Sequence, residues 1–142
     1  MKRPTVTDEM IREAATQVAE VYYPDFKGAA VDAILRQYSH PMDGYELAKQ
    51  LDRWESWDTT RDDVDTLDEI ESKVERMLRD AEKAWGQAFP MEPPFPTGAR
   101  ITRGVIDHIY EHRPATYAVK EDGCTRPSRY LLITFEDARE AA

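Results

Sequence analysis

The sequence holds one cysteine, Cys124, among 142 residues. That excludes an internal disulfide and points to a reducing, cytoplasmic setting. No apolar run approaches the roughly 18 residues a membrane-spanning helix needs. "MKRPTVTDEM" has no apolar stretch behind its basic residues, so a secretory signal is not expected. Positive charge is also scarce. Nineteen Lys and Arg face 28 Asp and Glu, a net charge of −9. A surface of that sign repels phosphate backbones and acidic lipid, and it speeds encounter with basic protein surfaces. There is no Ser-centred nucleophile elbow, no phosphate loop and no G-x-G-x-x-G turn. Most routes to an enzyme or a cofactor site are thereby closed.

What is present supports folding. Hydrophobic residues make up 41% of the chain, enough for a real core. Thr7 before "DEMIREAATQVAEVYY" reads as a capped helix, with Asp8 and Glu9 at the positive end of its dipole and Pro24 ending it near Tyr23. "DFKGAAVDAILRQY" gives a second helix with Ala30, Val31, Ile34, Leu35 and Tyr38 on its apolar face. Asp43 caps a third, "GYELAKQLDRW", with Leu47, Ala48, Leu51 and Trp54 facing inward. Thr59 or Thr60 caps a long fourth helix reaching about Phe89. Along it Leu67, Ile70, Val74, Met77, Ala81, Ala84 and Ala88 step alternately by three and four, a heptad seam. Glu69–Lys73 and Glu75–Arg79 are spaced for pairing on its outside. Helices 1–3 could cover the seam, and a second copy could dock on the small alanines near its end, giving a homodimer.

"PMEPPFPTG" then interrupts the helical pattern with four prolines and favours a stiff, extended connector. Beyond it the period changes from 3.6 to 2. "ARITRGVIDHIYE" and "ATYAVKE" alternate, "RYLLITFED" is an apolar strand, and Asp122-Gly123 is a hairpin signal. The expected organisation is an α+β protein. Residues 1–89 form a helical bundle with one long helix, 90–98 a proline-rich connector, and 99–142 a small antiparallel barrel or meander. The run "GARITRGVIDHIY…YAVKEDG…RYLLITFEDA" resembles SH3-like barrels over about a third of the chain. A helical part followed by such a module is also similar in style to small accessory proteins of phages and mobile elements.

"HIYEH", residues 108–112, has the H-x-x-E-H spacing of a zinc hydrolase. That chemistry needs a helix, where the two histidines share a face. Here Val105, Ile106, Ile109, Tyr110, Thr116, Tyr117 and Val119 surround it, between Gly104 and Pro114, and these are strand formers. On a strand His108 and His112 share a face with Ile106 and Tyr110 but lie about 13 Å apart, too far for one zinc. No metal or cofactor is therefore expected. His40 stands in a turn. Cys124, in "DGCTRPS", has no histidine close in sequence to act as its base. Arg100, Arg103, Arg113, Lys120, Arg126 and Arg129, with Tyr110, Tyr117 and Tyr130, could form a basic-aromatic face. The net charge there is about zero, which disfavours direct nucleic-acid binding.

The most unusual stretch is "ESWDTTRDDVDTLDEIE", residues 55–71, with eight acids against Arg61 alone. Acids in the first helical turn suit the dipole. Asp68, Glu69 and Glu71 lie beyond it. Asp58, Asp62, Asp65, Asp68, Glu69 and Glu71, with contact area from Trp54 and Trp57, form the candidate binding face. Rows of carboxylates offer Arg and Lys grooves the same charge-assisted bonds that phosphates do. The expectation is a non-enzymatic inhibitor that docks on a basic, nucleic-acid-handling protein. An adaptor or nucleic-acid-binding role for the β module is the alternative.

Overall fold

A computed structural model describes residues 2–123 and 129–141. The chain is α+β, four helices followed by a four-stranded antiparallel sheet. Helix α1 spans Asp8–Tyr22, capped by Thr7, whose hydroxyl accepts the Met10 amide at 3.2 Å. A 3-10 turn, Pro24–Phe26, leads into α2, Lys27–Gln37. Helix α3, Gly44–Trp54, is capped by the Asp43 carboxylate, which accepts the Glu46 amide at 2.8 Å. Helix α4 spans Arg61–Ala88. At its start the Thr60 hydroxyl accepts from the Asp63 amide, and Asp63 accepts from the Thr60 amide and hydroxyl. This reciprocal box satisfies two otherwise orphaned donors.

The chain divides into two compact units, Pro4–Asp80 and a second made of Met1–Arg3 with Ala81–Ala142. The division falls inside α4 rather than in the proline-rich connector. The first unit is helical. Ala14, Ala15, Val18, Ile34, Leu47, Leu51, Leu67, Ile70 and Val74 form its buried core, with Tyr23, Trp57 and Met77 packed on its edge. The front of the heptad seam is thus covered by α1–α3. Its tail is not continued, because Ala84 and Ala88 are exposed while Glu82 and Trp85 are buried. Burial in the second unit follows that unit's own partners, not the heptad register. Trp54 also departs from expectation. It is 59% exposed, with its indole N–H donating to Gln50 and the Arg53 guanidinium over its ring. Neither Glu69–Lys73 nor Glu75–Arg79 closes to an ion pair. Lys73 reaches Gln17 on α1 instead, at 3.4 Å.

Gly44 fixes how α3 meets α4. A Cβ there would lie 2.2 Å from the Val64 carbonyl oxygen and 2.5 Å from the Asp68 nitrogen, so only glycine allows the approach.

In the second unit the strands β1 (Arg100–Ile101), β2 (Gly104–Ile109), β3 (Thr116–Glu121) and β4 (Leu131–Thr134) pair in chain order as an open meander. The sheet is not closed into a barrel, because β1 and β4 remain its two ends. One isolated bridge joins Ile101 to Glu140. Ile101, Ile106, Tyr117, Val119, Phe135 and Ala138 form the core. The buried Tyr117 hydroxyl accepts from the Phe95 amide and donates to the Phe95 carbonyl, both at 2.9 Å, which pins the proline-rich connector. Asp122-Gly123 does not make a two-residue hairpin. The connection runs from Asp122 to Tyr130, and residues 124–128 lie outside the described part.

In the same unit, Glu82 is 4% exposed. It accepts two bonds from Arg113, both at 2.9 Å, with Arg3 Nη1 3.7 Å away. These bonds raise the Arg113 pKa, against the opposing effect of burial. Arg3 also donates to Glu136 and to the Ala115 carbonyl and lies over Trp85.

Candidate interaction site

The acidic stretch lies in the helical unit, on the loop after α3 and the first three turns of α4. Its loop is tightly held. Ser56, at φ +59°, turns the chain back so that the Trp57 amide donates to the Leu51 carbonyl at 3.2 Å. The Asp52 carboxylate holds Thr59 by its amide and its hydroxyl, at 2.9 and 2.8 Å. Glu55 accepts from Arg36 and Gln37, and the Arg36 bond holds its carboxyl below the usual range.

The acids divide by task. At ~100° per residue, Asp62, Asp65, Asp68 and Glu69 share the outer side of α4, and Glu71 stands to one flank. Asp68 accepts the Gly44 amide at 2.9 Å, so it helps cap α3. Glu69 is tied to Tyr22, whose phenol it pushes upward. Glu71 stands near Tyr38. Burial first, then the charges of Glu71 and Glu75, push that phenol up to about 12. Asp58, Asp62 and Asp65 are exposed and make no side-chain bond to another described residue. None of the six acids is in an ion pair among the described residues.

Asp63, an acid of the same stretch outside the candidate face, is bonded through both of its oxygens. Its Oδ1 accepts the Tyr23 hydroxyl at 2.8 Å, and its Oδ2 accepts the Thr60 amide at 2.9 Å. Burial alone would raise this carboxyl, but the bonds from Thr60 and Tyr23 outweigh it and lower its pKa. Burial, then the Asp63 bond and charge, shift the Tyr23 phenol in the opposite direction, well above its ordinary value.

Tyr23, Phe26 and Trp57 meet beside this carboxylate. Tyr23 and Trp57 have centroids 5.4 Å apart at 71°, and Phe26 and Trp57 lie 6.0 Å apart at 79°. With Asp58, Thr59 and Asp63 they line a cavity of about 280 Å³. Trp57 therefore lines this cavity, and Trp54 stands apart from it. The sequence clue to the rest is "YYPDF", an aromatic cluster interrupted by proline at the junction of the first two helices.

The other motifs fare less well. His108 lies on β2, and His112 follows the strand's end. A bulge between Ile106 and His108 breaks the alternation, so Ile106 is buried while His108 is exposed rather than sharing its face. His108 contacts Asp107 at 2.6 Å, and its ring meets Tyr130 edge-on. Among the described residues no three His, Cys, Asp or Glu side chains gather to hold a metal. His40 Nδ1 lies 2.7 Å from the Tyr38 hydroxyl. The basic-aromatic face is largely internal chemistry. Arg100 pairs with Asp122, Arg103 with Glu121 and Arg113 with Glu82, and Tyr117 is fully buried. Lys120, Arg129 and Tyr130 are exposed, whereas Cys124 and Arg126 lie outside the described residues. Among the described residues, no helix is long and apolar enough to cross a membrane. Compared with protein-family models, curated protein sequences and solved structures, the chain matches none.

Proposed function

We propose that this chain is a non-enzymatic, cytoplasmic interaction protein whose acidic helical face docks on a basic surface of a nucleic-acid-handling partner. A phage-type inhibitor that imitates a nucleic-acid strand is its concrete form. The observation that carries this reading is the uncompensated state of the face. Asp58, Asp62 and Asp65 are exposed and unpaired, whereas Arg100, Arg103 and Arg113 of the strand unit are matched by internal acids. Unpaired charge of one sign steers a partner of the other sign and sets the register of docking. At the level of fold, we read the strand unit as an SH3-like module, supported by the Ile101–Glu140 bridge, and α4 as one long helix.

The test is capture from a lysate by the immobilised chain, eluting with duplex DNA. Captured nucleic-acid-binding proteins should be displaced by DNA and by raised salt. A variant carrying Asp58→Asn, Asp62→Asn, Asp65→Asn and Glu69→Gln should melt like the parent yet lose capture. Undiminished capture by that variant refutes the reading.

A further inference from the structure

We propose that the cavity walled by Tyr23, Phe26 and Trp57 is a cage for an alkylammonium group, a lysine side chain or its N-methylated form, presented by the basic partner. The inference rests on the docking reading above and deepens it by naming the group that the acidic face receives.

The walls have the required chemistry. A ring face carries negative charge density and attracts a cation within about 6 Å. Trp57 stands at 71° to Tyr23 and 79° to Phe26, and Tyr23 lies 5.4 Å from Phe26, so the three rings form one cluster that lines one side of the cavity. Asp58 and Asp63 line the same cavity and add formal negative charge. An anion is disfavoured on both counts. At about 280 Å³ the cavity falls just below the ~300–1,000 Å³ of sites for drug-sized ligands. It suits the head of one side chain.

The cage is also held in advance. Tyr23 and Trp57 pack on the helical core, the Tyr23 hydroxyl is fixed by Asp63, and the Trp57 backbone is fixed by Leu51. Phe26, 47% exposed, completes the wall at the rim. Walls fixed before binding lower the ordering cost of capture.

The experiment follows the Trp57 indole N–H signal by NMR while short peptides are added. The peptides are identical except for one central residue: lysine, trimethyllysine, arginine or glutamine. Tetramethylammonium chloride is the free-ion arm. The trimethyllysine peptide should bind at least about tenfold more tightly than the glutamine peptide, with lysine between them. It should also bind more tightly than tetramethylammonium. Phe26→Ala should remove the trimethyllysine preference while the chain still unfolds cooperatively. Asp62→Asn with Asp65→Asn should weaken all cationic peptides yet keep their order. Equal affinity for trimethyllysine and glutamine, equal or better binding of arginine or of the free ion, or full affinity in Phe26→Ala overturns the cage. The docking reading is judged separately, by DNA-displaceable capture.

Discussion

Gly44→Ala offers the sharpest test of how the acidic helix is mounted. The new Cβ would stand 2.2 Å from the Val64 carbonyl oxygen, 2.5 Å from the Asp68 nitrogen and 2.9 Å from its Cα. All three atoms are backbone, so no flexible side chain can swing aside. The start of α3 would have to retreat from α4 by about 1 Å in a close-packed interior. Overpacking of this kind costs about 1–3 kcal/mol. The retreat also breaks the 2.9 Å bond from the Gly44 amide to Asp68, a cap worth about 1 kcal/mol. Against this, alanine favours helix over glycine by at most about 1 kcal/mol, and less at a first position. The net expectation is a loss of about 2–3 kcal/mol. For a unit of this size that lowers the melting temperature by about 10 °C or more. Thermal and urea unfolding followed by helical circular dichroism measure it directly. Asp68→Ala alone should cost about 1 kcal/mol, and the double variant should cost less than the two singles together, because both act on one contact. A Gly44→Ala melt within about 2 °C of the parent would refute the close approach.

Two other perturbations probe the remaining buried chemistry. Glu82→Ala removes both bonds from the partly exposed Arg113, while Arg3 keeps Glu136 and the Ala115 carbonyl, and should destabilise the strand unit by about 1–2 kcal/mol, read as an earlier urea midpoint; an unchanged midpoint would show that the network carries no net stability. In an alkaline titration followed by phenolate absorbance, Tyr23 and Tyr38 should ionise after the ordinary tyrosines, because their folded pKa values are raised. The folded state then holds protons that the unfolded state has released. The stability they contribute is intact below pH ~10 and is lost as pH rises through their folded values. A Tyr23→Phe variant should remove one late-titrating group, and an unaltered titration would contradict the Tyr23–Asp63 bond.

Much of this protein could be read from neighbouring residues alone. Thr7, Asp43 and Thr60 cap the helices the sequence assigned to them, since a cap satisfies amides only two or three residues away. The strand character at the start of "HIYEH" was also legible, because β-branched and aromatic neighbours declare it locally, but β2 ends at Ile109 and His112 lies in the turn beyond it. The acidic run is a property of composition and needed no structure.

Tertiary packing decided what each acid does. Nothing in the sequence sets Asp68 against Gly44 or Asp63 against Tyr23, 24 and 40 residues apart. Those contacts turn two apparent surface acids into fixed parts of the scaffold. They leave Asp58, Asp62 and Asp65 as the free charges. Packing also took Trp54 out of the core and ended the heptad seam before Ala84, because the chain changes compact units within α4. It brought "YYPDF" to Trp57, where three rings and two carboxylates line one small, open pocket. Periodicity reports which side of a helix is apolar, but only the fold selects the residue it faces.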